Sequence, residues 1–448
     1  MKWPTYPRNK PSGVEGLGNV PEHWRIARSD AMVTTAKRQV TPETFKGMDV
    51  MHYSIPAVQE RGTGAVENGE EIASAKQVID GPVVLVSRLN PRKATICRAE
   101  PHLELLTLAS TEFVALKPIA GDLRFLEYLV SSELFRQRLD SWVQSVTRSH
   151  QRARPEEIYR FWNAWPPAGE QNVIAGLLDR ETAKIDTLVV KKRTLIERLK
   201  EERTALISHT VTRGLPPDAA RAAGLDPHPK FKPSGVEWLG DIPEHWVPKR
   251  LRFISPHITV GIVVEPSKYY EDEGVPCLRS LNVRPNALVD RDLVYISPES
   301  HRMLSKSMVR KGDMVAVRSG QPGTTAVIDD RFDGANCIDL IIIRRPRHGF
   351  PTFYSYFLNS LPAQAQFSGG SGGAIQQHFN ITTASDLWLL EPPGPEQAVL
   401  ADFLDRETAK IDRMVGRVEA AIERLQEYRT ALITAAVTGK IDVRGAVA

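Results

Sequence analysis

The stretch Leu178–Asp186, LDRETAKID, returns letter for letter as Leu404–Asp412. The copies extend on both sides. Glu170-Gln171 recurs as Glu396-Gln397, Glu197-Arg198-Leu199 as Glu423-Arg424-Leu425, and Arg203 to Ile207 (RTALI) as Arg429 to Ile433, all at an offset of 226. A constant offset over some forty residues means that no insertion is tolerated, as expected where side chains must keep helical phase with a partner. With Leu178 at heptad position a, the a series is Leu178, Ile185, Lys192, Leu199 and Leu206, then Leu404, Ile411, Val418, Leu425 and Leu432, all apolar but one. The d series mixes Ile174, Leu188, Leu195, Leu400, Met414, Ala421 and Tyr428 with Glu181, Glu202 and Glu407. Two long helices packed on each other follow, because a lone apolar seam would leave an exposed stripe.

A second repeat lies upstream of each helix. Residues 11–24 read PSGVEGLGNVPEHW and residues 233–246 read PSGVEWLGDIPEHW, at an offset of 222. The two offsets differ by four, so the repeating unit is an entry segment, a globular region of nearly constant length and a long helix. The chain is a tandem duplication. Each entry segment combines turn formers with an aromatic anchor, Trp24 or Trp246. His23 and His245 have no Cys or second His at metal-ligand spacing and read as structural. Gly16 stands where the second copy has Trp238.

Between entry and helix the pattern gives strands such as Pro82 to Ser87 and Thr107 to Leu116, then a helical stretch near Leu123 to Val143. The second half repeats that order: Gly312 to Val317 resembles Gly81 to Val86, Gly334 to Arg344 carries the apolar Ile338 to Ile343, and a helix near Phe353 to Asn359 follows. Each globular part closes alike, with Trp162 and Pro166-Pro167 matching Trp388 and Pro392-Pro393. Gly214 to Lys230 is rich in Pro and Gly and reads as a linker. The fold class is therefore α+β. The boundaries are an entry segment at 1–24, a first domain at 25–169, a helix at 170–213, a linker at 214–230, a second entry and domain at 231–395, a helix at 396–439 and a tail at 440–448.

Composition sets wide bounds. The chain has 448 residues, 42% of them hydrophobic and 25% charged, which is an ordinary globular balance with room for two or three domains. A net charge of +4 permits a nucleic-acid surface without demanding one. Three cysteines without a Cys-x-x-Cys pair argue for a reducing compartment and against a disulfide frame or zinc ribbon. The first residues do not resemble a signal peptide and Leu340 to Ile343 is too short to span a bilayer, so a cytoplasmic location is expected.

No P-loop, dinucleotide fingerprint, zinc-protease helix, amino-methyltransferase motif or Glu-x-Lys nuclease triplet occurs. Neither catalytic nor metal-ligating residues are assigned, and catalysis is expected on another chain. The base-reading side-chain types instead gather at equivalent places in the two halves. Arg88, Asn90, Arg92 and Lys93 follow one strand, and Arg148, His150, Gln151 and Arg152 precede the exit from the first domain. Arg318, Ser319 and Gln321 follow the matching strand, and Gln376, Gln377 and His378 precede the second exit. Arg reads guanine and Gln or Asn reads adenine by paired hydrogen bonds, while Lys holds phosphates. Double-stranded DNA is the partner these residues point to; a coiled-coil adaptor that binds only proteins is the alternative.

With KPSGVEWLGDIPEHW (Lys232 to Trp246), the terminal PPAGEQ and PPGPEQ, and the helix endings RTALISHTVTRGL and RTALITAAVTGKIDV on the page, the chain resembles the specificity subunits of type I restriction-modification systems. That resemblance implies two target recognition domains, pseudo-twofold symmetry, and two helices paired as an antiparallel coiled coil. Each domain would read one half of a bipartite, asymmetric site. The helices, marked by Leu178, Ile185, Leu199, Leu206, Leu404, Ile411, Leu425 and Leu432, would dock two modification subunits and set the half-site spacing. S-adenosylmethionine would sit on those partners, with no cofactor in this chain, and restriction subunits would join for cleavage. From Glu170 to Arg213 a helix spans roughly 60 Å at about 1.5 Å per residue. Inserting four residues after Leu206 adds about 6 Å, or one to two base-pair steps of about 3.4 Å. We predict that methylome sequencing of a strain carrying the insertion shows a longer unread gap between unchanged half-site sequences; an unchanged gap at full activity would show that the helices do not set the spacing.

Overall fold

A computed structural model describes residues 3–36, 38–90, 93–141, 151–368 and 379–446. The chain divides into two compact units, Met1–Arg193 with Glu419–Ala448, and Thr194–Val418. The duplicated sequences form two long helices, α1 (Ala168–Arg213) and α2 (Gly394–Val437). Each unit contains the start of one and the end of the other. No helix among the described residues is long and apolar enough to cross a membrane.

In the first unit a four-stranded antiparallel sheet runs Ile96–Ala99, Val83–Ser87, Phe113–Pro118, Val33–Thr35. A five-stranded sheet runs Gln39–Val40, Lys76–Val78, Leu106–Ser110, Asp49–Tyr53, Ala65–Asn68, with Leu106–Ser110 parallel to Asp49–Tyr53. The run Thr107 to Leu116, read from sequence as one strand, is two strands in two different sheets. The chain crosses between them at a turn containing Glu112, whose polar pair Thr111-Glu112 interrupts the apolar alternation. The helical stretch from Leu123 is likewise two helices, Leu123–Ser131 and Glu133–Ser141, divided at Ser132, whose hydroxyl donates to Leu129 O at 2.6 Å; residues 142 and 143 lie outside the described residues.

The second unit keeps the plan with shorter strands. Ile258–Val260, Leu340–Ile343, Met314–Val317 and Thr325–Val327 make one sheet. Tyr270–Glu271, Val294–Ile296, Val275–Leu278 and Asn336–Cys337 make the other, the last pair parallel. Again the crossing between sheets carries an acid, Asp339. Helices Pro351–Leu358 and Leu361–Ser368 follow. The linker is more ordered than its Pro and Gly content suggests, since Pro217–Ala222 is a short helix.

The repeated letters now have physical roles. Trp24 and Trp246 are fully buried, and a buried indole N–H needs an acceptor. Trp24 Nε1 donates to Glu170 Oε1 at 3.1 Å, beside the Tyr6 hydroxyl at 2.6 Å, while His23 Nε2 lies 2.7 Å from the other oxygen. Trp246 and His245 meet Glu396 in the same way, at 3.0 and 2.8 Å. The histidines are thus structural. Each glutamate lies in the first helical turn, where a carboxylate also satisfies the positive end of the helix dipole. The other side of each indole meets the end of the opposite helix. Gly439, at φ 72 just past α2, is so close to Pro21 and Trp24 that a Cβ would lie 2.3 Å from Pro21 Cδ. Gly214, at φ 88 just past α1, has its Cβ position 3.9 Å from Trp246.

Within LDRETAKID, Asp179 and Thr182 receive the hydroxyl of Tyr128 (2.8 and 3.2 Å), and Asp405 and Thr408 that of Tyr356 (2.7 and 3.2 Å), tying helix to domain. Burial pushes the Tyr128 phenol up to about 12. Glu181 pairs with Lys184 and Glu407 with Lys410 along their own helices. The final aspartates cross between helices: Arg429 pairs with Asp186 at 3.1 Å in the first unit and Arg203 with Asp412 at 2.9 Å in the second. In both units the start of one long helix meets the end of the other, so the pairing is antiparallel.

The heptad frame needs correcting. Most of the a series is buried, with Lys192, Leu206, Val418 and Leu425 half-buried, and beyond the buried Ile174 and Leu400 the covered neighbours lie four positions on rather than three. Thr182, Val189 and Ile196 are buried, whereas Leu188 and Leu195 are 46% and 43% exposed. On α2, Thr408 is buried while Met414 and Tyr428 are 42% and 44% exposed. A straight α-helix with 3.6 residues per turn drifts against a 3.5 repeat, so apolar letters alone do not fix which flank of the a series faces inward.

We predict that Glu170→Ala, which leaves the buried Trp24 N–H without its carboxylate, costs about 1–3 kcal/mol and lowers the unfolding temperature. Hydrogen exchange should rise in residues 3–24 and leave 231–246 protected, with Glu396→Ala giving the reverse.

Candidate nucleic-acid interface

The candidate reading residues sit at one edge of each unit. In the first, Val83–Ser87 runs directly into Arg88, and the exit segment at 151–154 returns to pair with it: Asn90 N donates to Gln151 O at 2.8 Å and Ala153 N to Arg88 O at 2.9 Å, with Leu89 and Arg152 bridged. Arg88 and Arg152, 64 positions apart in sequence, converge on one carboxylate. Glu112 takes Nε and Nη2 of Arg152 at 3.2 and 3.0 Å and lies 3.1 Å from Arg88 Nε. Asn90 adopts φ 48, a left-handed conformation asparagine tolerates, and its carbonyl accepts from Lys93 N at 2.9 Å. Lys93 is exposed and Asn90 and Gln151 half-buried. Arg88 also borders a cavity of about 330 Å³ lined by Gln39, Gln77 and Tyr159 among others.

The second unit repeats the arrangement with other residues. Met314–Val317 ends at Arg318, whose carbonyl accepts from Phe379 N at 3.2 Å, the counterpart of Ala153. Arg318 Nη1 donates to Asp339 at 2.6 Å and its Nε to Phe379 O at 3.3 Å. Ser319 is half-buried in the turn that follows, and Gln321 is exposed there with its carbonyl accepting from Thr324 N at 3.2 Å. Arg92, Arg148, His150, Gln376, Gln377 and His378 lie outside the described residues.

The apolar residues that mark the two long helices are mostly covered. Leu178, Ile185, Leu199, Leu404, Ile411 and Leu432 are at most 8% exposed, and Leu206 and Leu425 half-buried. They are covered by the chain's own packing, Leu178 and Leu432 in the core of the first unit and Leu404 in that of the second. Leu188, Val190 and Leu195 on α1 and Met414 and Tyr428 on α2 are exposed.

This geometry has relatives. The chain is 26% identical over 216 residues to the type I restriction enzyme EcoKI specificity subunit of Escherichia coli (strain K12), and 25% identical over 214 residues to the StySPI specificity subunit of Salmonella potsdam. Each alignment takes in 45% of this chain and 44% of the relative, so less than half of the relatives' length is matched. Among solved structures, a chain of a type I R-M system aligns over 94% of this chain and 99% of its own, with a TM-score of 0.68 and 18% identity. The HsdS subunit from Thermoanaerobacter tengcongensis aligns over 95% and 100%, with a TM-score of 0.51 and 18% identity. The chain is thus similar in sequence to type I restriction enzyme specificity subunits and shares the fold of these solved structures. No family model matches the sequence. The α+β units and long helices described above therefore have counterparts across nearly the whole length of these structural neighbours.

Sequence reasoning missed Glu112 and Asp339. Each lies in a short polar break within an apolar run, STEF and CIDL, a signal that marks a turn without saying what the acid meets. The two edges lie in different units and share a strand-end arginine and an acid at the crossing between sheets. We predict that exchanging residues 25–165 for the first domain of another family member changes one half of the methylated site and leaves the other half as it was; methylome sequencing of the recombinant strain would refute modular reading if both halves changed.

Proposed function

We propose that the chain is the DNA-reading subunit of a type I restriction-modification complex, with residues 25–169 and 231–395 as recognition domains that each read one half of a bipartite, asymmetric site. The observation that carries this is the repeated edge: two domains with unlike sequences, on helices and entry segments that repeat one another, each present a strand-end arginine beside an acid and the exit segment. A duplicated scaffold bearing divergent polar edges suits two different half-sites, since backbone contacts position and side-chain contacts specify. The chain itself is non-catalytic, and methyl transfer belongs to two modification subunits carrying S-adenosylmethionine, with restriction subunits joining for cleavage. The exposed apolar residues of the helices support docking of those partners, because an apolar stripe on a surface helix marks an interaction site.

The purified chain alone is expected to transfer no methyl group and cut no DNA, and to gain tight, salt-dependent, sequence-specific binding once modification subunits are added. Methyl transfer by the isolated chain would overturn the reading, and a complex with no salt-dependent DNA affinity would favour the protein-only adaptor. Replacing Leu188 or Met414 by Glu is expected to weaken association with the modification subunit at least about tenfold, with unfolding temperature little changed because both side chains are already exposed; association measured by sedimentation or calorimetry checks this.

A further inference from the structure

We infer that Glu112 and Asp339 are positioning residues for sequence reading, each fixing a guanidinium fork so that its remaining N–H groups can address a guanine edge. The inference rests on the DNA-reading function proposed above and goes further by assigning the specificity-determining pair in each half. Arg152 has its Nε and Nη2 taken side-on by Glu112, at 3.2 and 3.0 Å. A guanidinium has five N–H donors in a rigid plane, so side-on capture leaves the end-on pair of Nη1 and Nη2 for a second bidentate acceptor. Guanine O6 and N7 form such an acceptor in the major groove. Arg318 is held at two points, Nη1 on Asp339 and Nε on the Phe379 carbonyl, and three N–H groups remain. Arg88 lies 3.1 Å from Glu112 without the alignment of a hydrogen bond, so it adds charge where Arg152 is the one locked in plane.

Three observations separate this from an ordinary surface ion pair. Both acids occupy the same topological point, the crossing from the parallel-paired strand (Leu106–Ser110 or Asn336–Cys337) into the neighbouring sheet, although no letters around them are repeated. Neither pair belongs to a core: the side chains of Glu112 and Asp339 are 25% and 51% exposed, and exposed ion pairs add little to stability. Asp339 also sits at φ 50, a left-handed conformation uncommon for residues other than glycine, so a carboxylate is kept where glycine would be easier.

The test uses the complex of the full chain with its modification subunits, carrying Glu112→Gln or Asp339→Asn. Equilibrium binding is measured to a duplex with the methylated site and to one without it, at several salt concentrations, and each variant's methylome is sequenced. Removing a carboxylate adds one positive charge, so non-specific affinity rises. A loosened fork loses bidentate reading, so the ratio of specific to non-specific affinity falls by about tenfold to a hundredfold, the discrimination such a contact supplies. Each variant relaxes a base in one half-site only. If specific and non-specific affinity rise together, the acid merely repels DNA; if both fall together, it merely supports the fold. Either result overturns the inference. Arg318→Lys keeps the charge and loses the fork, so it must lose discrimination at the half-site that Asp339→Asn relaxes; full discrimination in that variant overturns the inference too. A wild-type complex without sequence preference would overturn the functional reading itself, whereas a discriminating wild type with equally discriminating variants would overturn this assignment alone.

Discussion

Two buried indoles hold the architecture together. Trp24 gives its N–H to Glu170 in the first turn of α1 and packs beside Gly439 beyond the last turn of α2; Trp246 does the same with Glu396 and Gly214. A tryptophan buried with its N–H unpaired is costly, and the carboxylate that pairs it is 8% or 11% exposed. The entry segment therefore fixes where one helix begins against where the other ends. Glycine is required at the far side because a Cβ at Gly439 would collide with Pro21. The tryptophan–glutamate bond, present twice, accounts for two repeats separated by a region whose length varies by four residues.

From these anchors the rest of the helix chemistry follows in layers. Gln171 and Gln397, next to the glutamates, each donate to the carbonyl of the preceding Pro166 or Pro392 (2.9 and 2.7 Å) and accept a backbone N–H of the domain. One turn or two further on, Asp179 and Asp405 hold the domain tyrosines. Beyond them, Asp186 and Asp412 reach the arginine of the opposite helix. Helical phase links all three layers, so a single insertion would break the later contacts while keeping the earlier ones.

The candidate reading edges obey a different logic. Their backbone frame is shared, a strand end hydrogen-bonded to the exit segment, while their side chains are not. Between the halves, the arginine–acid pair is what survives of the chemistry, and it survives without sequence repetition because the acid needs only to stand at the crossing between sheets. This separation of a constant frame from a variable edge suits a protein that reads two unlike half-sites.

The sequence by itself determined the duplication, the two long helices, the α+β class of the domains, the structural role of the entry histidines and the strand-end positions of Arg88 and Arg318. Each of these is local, or is written in letters at a fixed offset. It did not determine the face of the helices that turns inward, since an a series alone leaves both flanks open; Leu188 and Met414, read as interior, are exposed. Nor did it show that Thr107 to Leu116 is two strands, because an apolar run carries no mark of which sheet it joins. The meeting of Arg88 and Arg152 on Glu112, and of Arg318 on Asp339, was decided by tertiary structure alone. Ion pairs between distant residues leave no periodicity in a single chain, and only the crossing of strands between sheets brings their charges within hydrogen-bonding reach.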